Sequence, residues 1–333
     1  LTREVDLTVG RAENVLDNIG AIAGPFRIGP VDDPIDISTE EDLINVFGKP
    51  LSTDAQYEYW MSAASYLSYG GVLKVCRTDG TTLNNSNAGV GIASTSGGYL
   101  KIKNYDDYQE NWISSTEFTY GAKNPGSWAN GLKVCVIDDL ADQTIGITTD
   151  NLTNAGAIIG YGVTAALSSV VIPGAGSTSG FSGYLKGIVT GVSTDSTNSL
   201  SKVDIKIVSR VSSAGTETKI DYKQYTQYAS FDTSDALMFV NNAGINTGLA
   251  ATVGTYTPTD IVDWYDQQVL GLENSTVFWK SLAPKPVSNV YVTDRNGEGD
   301  GMHVAVVDDF GTISGIQGAI LEKHVGLSKA EDA

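Results

Sequence analysis

Clear helical periodicity is confined to a small part of this 333-residue chain, and this limits the folds that the chain can adopt. From 141 to 250, strand-sized segments instead alternate with Gly-, Ser- and Thr-rich turns. Ser38 and Glu41 have the spacing of a capping box and predict a short helix. We therefore expect an α+β, multi-domain protein whose mixed α/β core is interrupted by an inserted, mostly antiparallel β domain. A second helix is predicted between 53 and 69, where apolar side chains recur every three or four positions: Tyr57, Trp60, Met61, Ala64 and Leu67.

Changes in composition and in the pattern of apolar residues also divide the chain into segments. In chain order, these are an N-terminal extended arm or linking strand (1–22), a first α/β part of the core (23–80), a small insertion (81–118), a core strand (119–140), an inserted β-rich surface domain (141–250) and a continuation of the core (251–333). Strands are predicted at 72–76, 132–137, 184–192, 203–211, 289–293, 303–308 and 319–325. A further helix is expected to begin near Thr257, with Trp264 and Tyr265 on its apolar side.

The charge balance excludes some partners. The chain has 39 acidic and 21 basic side chains, a net charge of −18. This argues against direct binding to nucleic acid, which requires a basic surface. No apolar run approaches the ~18 residues needed to span a membrane, so no membrane insertion is expected. Cys76 and Cys135 fit no zinc or redox spacing, and they are expected to be buried free thiols on neighbouring strands.

Residues that could perform chemistry are few. His303 and His324 lie in predicted strands without a Cys or His partner at metal-ligand spacing, so both are expected to be partly exposed strand residues. The segment 160–165 (GYGVTA) matches a loose dinucleotide fingerprint, but no acidic residue follows about 20 positions later to bind the ribose. The sequence therefore predicts no catalytic residue, no cofactor and no enzyme activity.

The segment 294–301 (DRNGEGDG) is the best candidate for a metal site. Oxygen ligands at alternate positions resemble the start of a calcium loop, but Ala305 stands where the bidentate Glu would be. A hairpin turn between two strands is the favoured interpretation. Paired acids could also indicate acid–base chemistry, but they flank turns and are expected to be solvated turn carboxylates: Asp32 and Asp33, Asp106 and Asp107, Asp138 and Asp139, Asp308 and Asp309. No metal site is predicted.

Several motifs occur in an order that is similar to one known family. They are GPFRIGP (24–30), EDLINVFGKP (41–50), YGG (69–71) with LKVCR (73–77), NPGSWANGLKV (124–134), and HVAVVD (303–308) with ILEK (320–323). Together they resemble the tail sheath proteins of contractile-tailed bacteriophages, particularly those of T-even-like myoviruses. Family members open with a Ser-Pro-Gly that is absent here and continue into further domains, so we expect this chain to be the N-terminal and central part of a longer subunit.

The resemblance implies a structural role. Sheath subunits would polymerise as stacked hexameric rings around the inner tail tube and contract to drive the tube through the host envelope. Implied partners are further copies of the chain, the tail tube protein, and the baseplate and tail terminator proteins. The location would be the tail sheath of the virion, after assembly in the host bacterial cytoplasm. We expect self-assembly through an N-terminal linking strand that includes Glu4, Val5, Leu7 and Val9.

Other functions are also compatible with the sequence. A phage baseplate or adhesin-like surface-binding protein could use segment 141–250 as a glycan-binding β domain. A sheath of a related contractile injection system would share the fold and the mechanism, and the sequence alone does not separate it from a phage sheath.

Overall fold

The computed structural model describes residues 18–50, 52, 55–88, 100–115, 118, 120–148, 159–170, 181–195, 200–220, 238–240 and 263–330. The chain divides into two compact units, 1–130 and 131–333. Short helices and several, mostly antiparallel sheets are present, which confirms the predicted α+β, multi-domain class. The predicted segment boundaries stay predictions.

The first unit is built around a three-stranded sheet. Its elements are β1 (Ile19–Gly24), β2 (Pro34–Ile37), α1 (Glu40–Phe47), α2 (Gln56–Leu67), β3 (Val72–Arg77), β4 (Asn87–Ala88), α3 (Tyr105–Asp107), a π-helix (Tyr108–Trp112), β5 (Tyr120–Gly121) and a 3-10 helix (Ser127–Ala129). The sheet order is β1-β3-β2, and β3 pairs in parallel with β1 and antiparallel with β2. The two longer helices bury apolar side chains in one core with the sheet: Phe26, Ile37, Leu43, Phe47, Trp60, Ala63, Leu67, Leu73 and Val75.

Both predicted helices of this unit form, but each differs from its prediction in detail. The capping box of α1 is one residue later than predicted: the Thr39 hydroxyl accepts from the Asp42 N–H at 3.0 Å, and the Thr39 N–H donates to the Asp42 carboxylate at 3.1 Å. In α2 the buried side chains are Gln56, Trp60, Ala63 and Leu67, whereas Tyr57 and Met61 are exposed. The Trp60 indole N–H donates to the Gly48 carbonyl at 2.8 Å, which fixes the rotation of α2 about its axis.

The second unit contains two sheets. Its strands are β6 (Leu132–Asp138), β7 (Gln143–Thr148), β8 (Gly162–Val170), β9 (Phe181–Asp195), β10 (Leu200–Ser212), β11 (Glu217–Lys219), β12 (Met238–Val240), β13 (Gly301–Asp308) and β14 (Ala319–Ser328). One sheet has the order β11-β10-β9-β8-β12, with β7 paired to β10, and the other has the order β14-β13-β6. Both sheets contribute to a core that includes Cys135, Ile188, Val208, Trp279 and Val307.

Two predicted elements of this unit need correction. Residues 289–293 were expected to form a strand, but α4 (Val290–Thr293) is a helical turn. The Asn289 side chain accepts from the Tyr291 N–H at 3.0 Å, so Asn289 caps the turn and outweighs the strand preference of the β-branched residues that follow. The helix was expected to begin near Thr257, which lies outside the described residues. Trp264 and Tyr265 are described, and they are buried in a 3-10 helix, Trp264–Gln267.

The two cysteines are free, as expected, but they are not on neighbouring strands. Cys76 is half-buried on β3 and Cys135 is buried on β6, and these strands belong to different sheets. Among the helices in the described ranges, none is long and apolar enough to cross a membrane.

Candidate functional site

The residues considered for chemistry have structural contacts. His303 is buried rather than partly exposed: its Nε2 lies 2.8 Å from the Pro284 carbonyl oxygen, and its Nδ1 accepts from the Gly326 N–H at 3.0 Å. The Nδ1 also lies 2.8 Å from the Met302 carbonyl oxygen, so both ring nitrogens face backbone groups. His324 is exposed and lies 3.2 Å from Glu322. The core position of His303 follows from its place on the inward face of β13.

The glycine-rich segment 160–165 runs into β8, not into a helix. A dinucleotide site needs the helix N-terminus that follows the glycine turn, and this segment does not provide one. The resemblance of 160–165 to the fingerprint therefore reflects a turn before a strand.

The acidic loop 294–301 is held by hydrogen bonds to neighbouring segments of the chain. The Asp300 carboxylate accepts from the Asn289 N–H at 3.0 Å and from the Ser328 hydroxyl at 2.7 Å, and the Ser328 hydrogen bond is the main cause that lowers its pKa. The Arg295 guanidinium stacks 3.5 Å from the centre of the Tyr291 ring. Within the described ranges, no group of three or more His, Cys, Asp or Glu side chains is placed to hold a metal ion. The loop connects α4 to β13, so it is not the strand-to-strand hairpin expected from the sequence.

Three of the paired acids are buried, which contradicts the expectation of solvated turn carboxylates. Asp138, Asp308 and Asp309 have relative exposures of 7%, 0% and 5%. Buried carboxylates require hydrogen-bond donors or cations, and each of the three has them. The donors to Asp308 come from the turn that follows it, whereas those to Asp138 and Asp309 come from residues that are distant in the sequence, so the sequence pattern did not indicate them.

Arg77 joins several of the motifs that carry the family resemblance. From the end of β3 its buried guanidinium donates to the carbonyls of Phe26 (2.6 Å), Arg27 (3.0 Å), Gly29 (2.8 Å) and Pro125 (2.7 Å). Burial lowers the pKa of Arg77 to about 10, against the opposing effect of Asp79. The motifs at 24–30, 73–77 and 124–134 therefore meet at one side chain, a role that no sequence pattern indicates.

A second buried polar cluster lies in the other unit. Lys206 on β10 is buried, and its Nζ lies 3.1 Å from Asp138 and 3.4 Å from Asp142. The same ammonium lies 4.8 Å from the centre of the Trp264 ring. These contacts connect β6, β10 and the 3-10 helix Trp264–Gln267, and they give Asp138 a structural role.

Asp308 holds a loop in place. Its carboxylate accepts from the N–H groups of Thr312 (2.8 Å), Ile313 (2.9 Å) and Ser314 (2.7 Å) and from the Ser314 hydroxyl (2.9 Å). Burial acts to raise the pKa of Asp308, but the hydrogen bonds from Ser314, Ile313 and Thr312 outweigh it and lower the pKa. We call residues 310–318 the apolar loop, because Phe310, Ile313 and Ile316 are exposed on it and none of its residues is charged.

Two further exposed surfaces have an apolar character. On α2 a shallow groove of about 530 Å³ is lined by Met61, Ser62, Ser65, Tyr66 and Tyr69, and we call it the tyrosine groove. On β14 the exposed apolar side chains are Ile320, Leu321, Val325 and Leu327. This strand pairs with β13 along one edge, and among the described strands none pairs with its other edge. An exposed strand edge with apolar side chains is a typical site for pairing with another chain.

Comparison with known proteins supports a sheath-like class. No model of a known protein family matches the chain. Over 67 residues the chain is 42% identical to a protein described as "Tail sheath protein" of Enterobacteria phage T4. The match covers 20% of this chain and 10% of that protein, so the chain matches about a tenth of the relative's length. This similarity supports a sheath-like structural role and a place in the phage tail.

The proposed self-assembly residues Glu4, Val5, Leu7 and Val9 lie outside the described residues. Their role stays a prediction. Neither the apolar loop nor the tyrosine groove was predicted from the sequence. The one local signal for the groove is the pair Gly20 and Gly71, which leaves room for the Tyr66 ring.

Proposed function

We propose that this chain is a structural subunit of a contractile tail sheath of a bacteriophage. It polymerises as stacked hexameric rings around the inner tail tube, and contraction of the stack drives the tube through the host envelope. The observation that carries the proposal is the 42% identity to a tail sheath protein over 67 residues. The chain has no catalytic role in this proposal, and its partners are further copies, the tail tube protein, and the baseplate and tail terminator proteins.

Exposed strand edges support the self-assembly part of this proposal. The segment 1–9 (LTREVDLTV) alternates apolar and polar residues in its second half, at Val5, Leu7 and Val9. In the proposed polymer, Glu4–Val9 of one copy adds as a strand to the free edge of β14 in the next copy. Main-chain hydrogen bonds supply affinity in such pairing, and alternate side chains supply register.

Sedimentation velocity across a concentration series tests the proposed polymerisation. We expect species much larger than the 35.2 kDa chain to form as the concentration rises. Combined replacement of Val5, Leu7 and Val9 by Asp should reduce their formation while leaving the melting temperature unchanged. A chain that stays monomeric at the highest attainable concentration would contradict the proposed function.

A further inference from the structure

The apolar loop is an exposed surface whose shape is fixed. Its side chains Phe310, Ile313 and Ile316 have exposures of 53%, 42% and 68%. The Asp308 carboxylate accepts hydrogen bonds from the N–H groups of Ile313 and Ser314, near the middle of the loop. The Asp308 carbonyl accepts from the Gly318 N–H at 2.8 Å, which fixes the C-terminal end of the loop. A mobile loop would lose backbone conformational entropy on binding, whereas the backbone of this loop is already held by these hydrogen bonds. A rigid, uncharged, apolar projection is therefore suited to insertion into another protein.

The tyrosine groove provides a matching concave surface. The Tyr66 ring packs closely on Gly20 and Gly71, since a side-chain carbon at either position would lie 2.7 Å from the ring. Tyr69 is 83% exposed and Met61 is 44% exposed, and Ser62 and Ser65 lie between them. None of the lining side chains is charged. Tyr and Met are enriched where proteins bind each other, because they supply large contact areas.

Net charge restricts which surfaces of two copies can meet. Each copy carries a net charge of −18, so two copies repel each other wherever acidic surfaces approach. The apolar loop and the tyrosine groove avoid this repulsion, because neither contains a charged side chain. One surface projects and the other is concave, and the two are different parts of the chain. A contact between different surfaces is heterologous, and it can repeat to build a ring or a helical polymer.

We propose that the apolar loop of one copy of this chain docks in the tyrosine groove of the next copy. This inference rests on the proposed sheath function and assigns one of the lateral contacts of the polymer. Ile316 enters the groove between Met61 and Tyr69, and Phe310 and Ile313 cover its rim. Asp308 is a positioning residue, because it holds the loop in the docking conformation without touching the partner.

Disulfide trapping between two differently labelled copies tests the contact. One copy carries Ser65→Cys in the groove, and a copy of different mass carries Gln317→Cys next to Ile316. Under mild oxidation we expect a disulfide-linked heterodimer from the mixture, at a level at least about tenfold above the dimers of either variant alone. Adding Ile316→Asp to the Gln317→Cys copy should abolish the heterodimer. Adding Val290→Asp, at a side chain that is 70% exposed outside both surfaces, should leave it unchanged.

The outcomes separate the inference from the proposed function. If the wild-type chain assembles but the mixture forms no heterodimer, or if Ile316→Asp leaves the heterodimer intact, the docking inference is wrong and the sheath function stands. Homodimers of Ser65→Cys at the level of the heterodimer would indicate a groove-to-groove contact and would also overturn it. If the wild-type chain stays monomeric, both proposals fail. Thermal melting of each variant confirms that the exposed substitutions leave the fold intact.

Discussion

At the scale of single residues, the buried Arg77 guanidinium joins distant segments of the first unit through four hydrogen bonds to backbone carbonyls. A lysine at this position keeps the charge but replaces the planar set of donors by one compact ammonium group. It cannot reach the carbonyls of Phe26, Arg27, Gly29 and Pro125 together, so some of them lose their partner in a buried site. We expect Arg77→Lys to lower the free energy of unfolding by about 2–4 kcal/mol, measured by denaturant unfolding.

A matched control for this prediction is Lys74, which lies on the same strand. Its ion pair with Asp36 is exposed, with side-chain exposures of 49% and 61%. Lys74→Ala should change the free energy of unfolding by less than about 1 kcal/mol. Equal effects of the two substitutions would mean that the Arg77 hydrogen bonds are not the reason for its importance.

Asp308 gives a prediction about pH. Because its pKa is lower in the folded chain than in the unfolded chain, the ionised carboxylate contributes stability. That contribution is complete above the unfolded-state value of about 3.9 and is lost as the pH falls from there through the lower folded-state pKa. Asp308→Asn should therefore be less stable than the wild type at pH 7, and the difference should shrink at pH 3.

Hydrogen exchange localises the effect of the Asp308 substitution. The amide groups of Thr312, Ile313 and Ser314 donate to this carboxylate, so Asp308→Asn should speed their exchange by at least about tenfold at pH 7. Asp266→Asn, in an exposed ion pair with Lys280, should leave these amides unchanged. Unaltered exchange in Asp308→Asn would show that the loop does not depend on the carboxylate.

At the scale of elements, the bounds of several strands can be predicted from the sequence, whereas the hydrogen bonds that orient and end the neighbouring elements cannot. The strands at 72–76, 132–137, 303–308 and 319–325 form close to their predicted bounds, because apolar runs between turns are a local signal. The rotation of α2 depends on the hydrogen bond from Trp60 to Gly48, and α4 depends on the cap from Asn289. The buried role of Asp308 depends on the turn that follows it. These contacts arise only when the chain is folded, so no periodicity indicates them.

The edge of β14 that pairs with none of the described strands leads to a prediction at the same scale. Leu321 and Val325 flank the segment 322–324 (EKH) in the middle of this strand, and their side chains are 37% and 44% exposed. Replacing both by Lys should disfavour the addition of another strand to this edge, because a cation would lose hydration when that strand pairs. We expect the concentration needed for assembly to rise by at least about tenfold in sedimentation experiments, with little change in melting temperature.

The control for the β14 substitutions lies outside that strand. Val287 is 73% exposed, and Val287→Lys adds the same type of charge to the surface of the same unit. It should leave assembly unchanged. If Val287→Lys weakens assembly as much as the double substitution on β14, the effect is not specific to the strand edge.

At the scale of the whole molecule, the net charge of −18 opposes self-association at low ionic strength. Salt screens this repulsion, with a Debye length of about 10 Å at 0.1 M and about 3 Å at 1 M. If the contacts between copies are apolar, raising NaCl from 0.05 to 0.5 M should lower the concentration needed for assembly. Light scattering measures this directly. Weaker assembly at high salt would instead indicate that opposite charges hold the copies together.

The central claim is that this chain builds a sheath-like polymer. Negative-stain electron microscopy of the purified chain at high concentration tests this claim most directly, because it shows the form of the assembly as well as its size. We expect stacked rings or long tubes with sixfold symmetry. Uniform, isolated particles of single-chain size at the same concentration would contradict it.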